Sequence, residues 1–382
     1  MPQPARFLPA LPTLSPALLL PRPGARPPAM PFADPAARYY YLARNGIWHA
    51  VRALGLAGGE VLAPAYHHGV EIEALIAAGM TVRFYPVDRR WQADLAAVER
   101  LIGPATRALY LTHYAGFPGP TAAFRRLADA HGLALFEDCA LALFSASAGQ
   151  PLGSTGDAAV FCLYKTLPVP NGGALVLHRA PVTPLPPTVA PPITSAVSHL
   201  ASSLLRWAEF RGGAAGRAVR AAVRALGRHT VATARIERVT TGSDHFNPAD
   251  AGLGISAISR RIAAAQDPAR IVARRRRNYR LLRAALADLA PPPPGDLPPG
   301  VCPLFYPLPV PAKEAVQDRL EREGVETINF WSTFHPACDP DAFPDVAWLR
   351  RTVLEVPCHQ DLTPRHIAFL AAAVRRAVRE VA

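Results

Sequence analysis

The sequence predicts an α/β protein: a mostly parallel sheet with helices on both faces, followed by a smaller C-terminal α+β domain. Three observations carry this reading. From about residue 45 to 180, short apolar runs alternate with amphipathic helical patterns. A proline-rich stretch, "PVTPLPPTVAPP" (181–192), ends that alternation. Long helical patterns follow it, and a second, short αβ unit closes the chain. At 382 residues the chain is long enough for two domains. The expected division is an irregular arm (1–37), a large domain (38–180), a Pro/Arg-rich linker with a helical insertion (181–245), and a linking helix with the small domain (246–382).

The strand candidates, in order, are "VLAPAY" (61–66), "TVRFYPV" (81–87), "ALYLTHY" (108–114), "LALFED" (133–138), "AAVFCL" (158–163) and "ALVLH" (174–178). Each is a short apolar or β-branched run of the length a buried parallel strand needs. Between them, "DLAAVERLI" (94–102) reads as a helix with Asp94 at its N-cap, and "TAAFRRLADAHG" (121–132) as one closed by Gly132. Further on, "SAISRRIAAAQDPARIVARRRRNYRLLRAALADL" (256–289) is a long helical pattern interrupted near Pro268. Its "RRRR" (274–277) is expected on a solvated face. The last helix starts at Thr363 and Pro364 and aligns Ile367, Leu370, Val374 and Val378 on one side.

Charge and composition narrow the function. Lys plus Arg exceed Asp plus Glu, 41 against 29, for a net charge of +12. A basic protein attracts phosphates, nucleic acid or anionic lipid. A general Arg/Ala/Pro bias explains the same excess, and no nucleic-acid partner is expected. Residues 199–229 place Val219, Val223 and Leu226 on one helix face, with Arg217, Arg220, Arg224 and Arg228 elsewhere. That pattern suits weak association with an anionic membrane surface, and suits equally a helix laid on a protein core. No apolar run reaches the roughly 18 residues of a membrane span. Five cysteines (139, 162, 302, 338, 358) form no CxxC pair, which suits free thiols in a reducing, cytoplasmic setting.

The chain has only two lysines, Lys165 and Lys313. A plain cation could be arginine, which is this sequence's habit. Arginine cannot lose its proton in a protein, whereas lysine can act as an amine nucleophile. Lys165, in "VFCLYKTLPVPNGGALV", is therefore a candidate for condensing with an aldehyde, and Lys313, in "PAKEA", for an exposed helix start. Upstream, "LALFEDCA" puts Glu137 and Asp138 at a strand end. A carboxylate there can hold a protonated pyridine nitrogen, the partner a pyridoxal phosphate lysine needs; alternatively it caps the next helix. Asn45 and Gly46 precede a helix whose backbone N–H groups suit a phosphate. Tyr66, His67 and His68 follow a strand and offer a ring to stack on a cofactor. No metal is expected, since no ligand cluster accompanies the histidines.

Taken in order, these segments resemble the DegT/DnrJ/EryC1/StrS sugar aminotransferases, which are fold type I pyridoxal phosphate enzymes. The likeness runs from about residue 38 to 382. It rests on "NGIWHAVRALGLAGGEVLAPAYHHGVEIEALIAAGMTVRFYPVD", "HGLALFEDCA", "GDAAVFCLYKTLPVPNGG" and "LEVPCHQDLTPRHIAFLAAAVRRAV". The resemblance implies that Lys165 carries the cofactor and moves the substrate proton, and that Asp138 binds the pyridinium nitrogen. It implies that Gly46 and the Ile47 N–H cup the phosphate, that His68 lies against the ring, and that Cys162 takes a place usually held by serine. It further implies a homodimer that moves an amino group, normally from glutamate, to a keto-sugar attached to a nucleotide, for a surface polysaccharide. The chain departs from the family at Ile47, commonly Ser or Thr, and at Leu141, commonly His or Gln. Those departures keep a second reading open: a catalytically degenerate member that serves as a binding or regulatory partner.

Overall fold

The structure is a computed structural model and describes residues 7–20, 29–233, 245–329 and 331–381, the side chains of 224–233 excepted. In chain order its elements are β1 (Arg38–Tyr40), α1 (Ala43–Ala53), β2 (Glu60–Pro64), α2 (Val70–Ala77), β3 (Thr81–Tyr85), α3 (Leu95–Leu101), β4 (Thr106–Thr112), α4 (Thr121–His131), β5 (Ala134–Cys139), β6 (Ala146–Ser147), β7 (Gln150–Pro151), β8 (Ala158–Cys162), β9 (Gly173–Leu177), α5 (Ile193–Thr233), α6 (Ala257–Ala264), α7 (Pro268–Leu286), β10 (Phe305–Pro309), α8 (Lys313–Arg322), α9 (Pro344–Thr352), β11 (Val353–Pro357) and α10 (Pro364–Val381).

Seven strands form the main sheet in the order β1-β9-β8-β5-β4-β2-β3. Strands β3, β2, β4, β5 and β8 run parallel; β9 pairs antiparallel with β8, and β1 pairs antiparallel with β9 at that edge. The central strands are buried along their length, as sheets covered on both faces require. A two-stranded antiparallel sheet, β10 with β11, and helices α7, α8, α9 and α10 make the smaller C-terminal α+β unit.

Local signals behave as the sequence predicts. The Asp94 carboxylate accepts the Ala97 N–H at 3.0 Å, and Gly132 closes α4 in the left-handed conformation. Asp267 caps α7, which starts on Pro268. The Thr363 hydroxyl accepts the His366 N–H at 3.4 Å at the head of α10. The N-terminal arm is fastened rather than loose: the Leu8 N–H donates to Gly324 O and the Glu326 N–H to Leu8 O. Within the linker, α5 breaks at Gly213 and folds back on itself. Gly216 lies so close to Ala208 that an added Cβ would fall 2.1 Å from its carbonyl oxygen, and Arg220 pairs with Glu209 across the fold. Val219 and Val223 are half exposed there, while the Leu226, Arg224 and Arg228 side chains lie outside the described ones.

Three expectations need correction. Helix α1 begins at Ala43, so Asn45 and Gly46 sit inside its first turn instead of preceding it. Lys313 starts α8 but is fully buried, with its Nζ donating to Arg350 O. The "RRRR" run is not one solvated face. Arg275 is completely buried, and its guanidinium donates to Gln360 Oε1 (2.8 Å), Leu304 O (2.8 Å), Pro303 O (3.2 Å) and Thr166 O (3.4 Å). Helical periodicity turns one residue of such a run inward, and here carbonyls far away in sequence receive it.

Replacing Arg275 by Met would leave those acceptors unmatched in a dry interior. Urea unfolding of R275M is expected to show a loss of about 3–5 kcal/mol. R280M, at an exposed position of the same helix, should stay within about 0.5 kcal/mol of the parent. Equal stability of the two variants would contradict the role given to Arg275.

Candidate active site

The carboxyl ends of β2, β4, β5 and β8 meet at one cavity of about 400 Å³, where open α/β sheets bind ligands. The strand-end residues Thr112, Asp138 and Cys162 line it, with His68 and Glu71 from the turn after β2, and Lys165 from the turn after β8. Helix α1 adds Ala43, Arg44 and Ile47, and the small unit adds Trp331.

Strand alternation separates the two acids of "FED". Glu137 turns to the opposite face, where it accepts hydrogen bonds from His113 Nε2 (3.0 Å) and the N–H groups of Gly153, Thr155 and Gly156. Burial alone would raise its pKa, but His113 and those N–H groups outweigh burial and hold it below the ordinary value. Asp138 faces the cavity. It accepts from the Tyr110 hydroxyl (2.9 Å) and the Ala140 N–H (2.8 Å). Burial, helped by the nearby Glu71 charge, pushes its pKa up to about 6, against the opposing pull of Ala140, Lys165 and Tyr110.

Two networks set the turn that carries Lys165. Asn171 is fully buried; its Nδ2 donates to Ser256 Oγ (3.1 Å), and its Oδ1 accepts from the Ser256 N–H (3.0 Å) and the Ser259 hydroxyl (3.2 Å). On the other side, Thr166 O accepts from Gln360 Nε2 (2.9 Å) and from Arg275. Lys165 is half-buried, and its charge is felt both by Asp138 and by the buried carboxyl of Glu355. Burial drives the Glu355 pKa far upward, against the pull of both lysines of the chain, Lys165 and Lys313.

The turn bearing His68 is fixed in a similar way. The Glu71 carboxylate accepts the N–H groups of His68 (2.8 Å) and Gly69 (3.1 Å) at the start of α2. Arg350, buried in the small unit, donates to His67 O (2.8 Å), Ala65 O (3.2 Å), Trp331 O (3.2 Å) and Thr333 O. The His68 ring meets Trp331 edge-on, with centroids 6.4 Å apart.

The structure therefore brings Lys165, Asp138, His68, Cys162 and Ile47 together, along with Leu141. Tyr66 and His67 stay out of the cavity. Tyr66 packs on Tyr114 and Trp331, while His67 stacks on Phe84, donates from Nδ1 to Pro64 O and accepts the His335 N–H. His335 also holds Glu73 through Nε2 at 2.7 Å, so it ties the small unit to α2. Gly46 does not line the cavity: a Cβ there would press on Leu175 and Val160 of the sheet, so its smallness serves helix-to-sheet packing. Sequence reasoning missed Arg44, Glu71, Thr112 and Trp331. Glu71, three residues after His68, was the most findable, because an acid at that spacing caps a helix.

These residues fit pyridoxal phosphate. A buried carboxyl with a proton affinity near neutrality suits a pyridine N–H, and the lysine shares its cavity. The cavity volume falls in the ordinary ligand range of about 300–1,000 Å³. For the phosphate, Ile47 and Leu141 offer no side-chain polar group. Arg44, almost wholly buried at the first turn of α1 and lining the cavity, supplies a cation there.

Comparison with known proteins agrees with this construction. Residues 43–180 match the model of the DegT/DnrJ/EryC1/StrS aminotransferase family. UDP-N-acetyl-3-dehydro-alpha-D-glucosamine 3-aminotransferase of Acidithiobacillus ferrooxidans is 36% identical over 132 residues, 34% of this chain and 36% of that protein. L-glutamine:2-deoxy-scyllo-inosose aminotransferase of Streptoalloteichus tenebrarius is 33% identical over 157 residues, 37% of each chain. The matched segments thus span little more than a third of those relatives' own length. Among solved structures, the aminotransferase TlmJ of Streptoalloteichus hindustanus aligns over 91% of this chain and 86% of its own, with a TM-score of 0.63 and 22% identity. Helicobacter pylori PseC aligns over 90% and 87%, with a TM-score of 0.64 and 14% identity, so the fold is shared along nearly the whole chain. The fold is that of the type I aminotransferases. In sequence, the likeness to the DegT/DnrJ/EryC1/StrS aminotransferase family is carried by residues 43–180.

The raised pKa of Asp138 has a sign that can be checked in the apoprotein. The folded chain holds this proton more tightly than the unfolded chain, whose carboxyl keeps its ordinary value of 3.8. The cost to stability is absent below that pH, grows as pH rises toward about 6, and is complete above it. A shift of this size corresponds to about 3 kcal/mol. Urea unfolding should find D138N about 2–3 kcal/mol more stable than the parent at pH 8, with the difference vanishing near pH 3.5. An unchanged difference between the two pH values would refute the assignment.

Proposed function

We propose that the chain is a pyridoxal 5'-phosphate-dependent aminotransferase that moves an amino group, with glutamate as donor, to a keto-sugar carried on a nucleotide. The reading includes a cytoplasmic homodimer, as the family resemblance implies. The observation that carries it is the cavity that holds Lys165 and the buried Asp138 carboxyl together at the ends of the parallel strands. The names of the relatives support the substrate class: the matches include a UDP-sugar aminotransferase, a GDP-perosamine synthase of Vibrio cholerae and a dTDP-amino-sugar transaminase of Streptomyces venezuelae.

When bound, the cofactor supplies an electron sink for the carbon that gains or loses its amino group. The chain's own residues do the rest. Asp138 would accept the pyridine N–H and keep that nitrogen protonated, while Tyr110 and Ala140 hold its carboxyl in place. Lys165 would be the residue that holds the cofactor, and its amine would take and return the proton at the reacting substrate carbon. Arg44, with the amino end of α1, binds the phosphate. His68 and Trp331 wall the ring and limit water.

Adding pyridoxal phosphate to purified protein should produce a visible absorbance band that K165A abolishes. Borohydride treatment should leave a cofactor-sized mass on the Lys165 peptide. R44Q should weaken cofactor binding about 10–100-fold, the value of one charge-assisted phosphate contact. Glutamate should then yield 2-oxoglutarate in a half-reaction, and a panel of nucleotide-linked keto-sugars should accept the amino group. A protein that takes up cofactor but never yields 2-oxoglutarate would instead be a non-catalytic family member.

A further inference from the structure

We propose a second site, separate from the catalytic cavity, that binds a ligand carrying a diphosphate. It is the groove between the fold of α5, the N-terminal arm and the head of α10.

The groove has a volume of about 750 Å³, shares no lining residue with the catalytic cavity, and is lined by Arg211, Arg365 and His366 beside Phe7 and Phe210. Helix α10, 18 residues long, opens into it at Thr363 and Pro364. Next to this wall lies α7, whose Arg270, Arg274 and Arg277 recur at the spacing of one helix face. Arg274 Nη1 donates to Gln360 O (3.3 Å) and Arg277 Nη2 to Leu362 O (3.2 Å), so both guanidinium groups sit over the turn that becomes the groove wall. Five arginines from three elements therefore converge on one region.

Among the described residues, none of these five forms an ion pair with a carboxylate. Elsewhere on the surface, Arg89, Arg319, Arg375 and Arg376 each hold one. The acids close to the cluster are already engaged. Asp361 accepts from the Thr13 N–H and hydroxyl, and Asp267 caps α7. Glu209 pairs with Arg220, and Glu326 with Arg206. Like charges at helical spacing destabilise a helix unless something neutralises them. The proton affinity of Arg274 is lowered by burial and then by Arg270, Arg277 and Arg211, with Asp361 alone opposing. More than one negative charge is needed to balance the cluster, and a planar guanidinium set at a helix start matches phosphate oxygens. A diphosphate satisfies both conditions. A single phosphate satisfies only the second.

The test is isothermal titration of the full chain with inorganic pyrophosphate and with inorganic phosphate at matched ionic strength. Pyrophosphate should bind at least about tenfold more tightly than phosphate. R274Q/R365Q should weaken pyrophosphate by about 10–100-fold or more, the loss of one or two charge-assisted contacts, and R365Q alone by about tenfold. R280Q, exposed on α7 away from the groove, should change nothing. Pyrophosphate binding that is equal in the parent and R274Q/R365Q would place the ligand elsewhere and overturn the site. Equal affinity for phosphate and pyrophosphate would overturn the diphosphate assignment. Flotation with phosphatidylserine vesicles that depends on Arg274 and Arg365, in the absence of pyrophosphate binding, would replace the proposal with a membrane surface.

Discussion

Two buried guanidinium groups, Arg275 and Arg350, hold the cavity at the strand ends in shape. Arg275 joins the lysine turn, through Thr166 O, to the segment entering β10 and to the turn before α10. Arg350 joins the His68 turn, through Ala65 O and His67 O, to the Trp331–Thr333 segment. Arg275 donates to Gln360 Oε1 and to three backbone carbonyls, and Arg350 donates to four backbone carbonyls. Such groups are costly to bury unpaired, so each arginine favours the arrangement of the two units that supplies its acceptors. The cavity lies between the two turns they fix.

The electrostatics of the cavity follow from the same frame. β5 presents alternate acids to opposite faces. Glu137 is stabilised as a carboxylate by four donors, and it holds the 153–156 loop. Asp138 is buried with fewer donors and with the Glu71 charge nearby, so its pKa is pushed up to about 6. Glu71 links the two demands: its carboxylate sets the His68 turn, and its charge raises Asp138. Burying Asp138 in this way lowers the stability of the folded chain once pH rises above about 6.

Much of this was legible in the sequence because it is local. The six strand runs, the Asp94 cap, the Gly132 stop and the Thr363–Pro364 start each need only a few neighbouring residues to be recognised. Lys165 and Asp138 were legible because their residue types are unusual where they stand. What stayed hidden depends on distant partners. Nothing near "RRRR" announces that Arg275 will find Gln360, Pro303 and Thr166. Nothing in "PAKEA" announces that Arg350 O will receive Lys313. The start of α1 was misplaced for a related reason: Asn45 and Gly46 look like a helix start, but the antiparallel pairing of β1 with β9 delivers the chain into the helix at Ala43.

Arg275 positions the lysine turn through Thr166 O. Amide hydrogen exchange on R275K tests it most directly, since lysine keeps the charge and loses the fork of donors. The account predicts faster exchange in residues 163–172 and in the segment entering β10, with protection at the β2–β3 edge unchanged. Unaltered protection of 163–172 would contradict it, and so would a uniform rise across the whole chain.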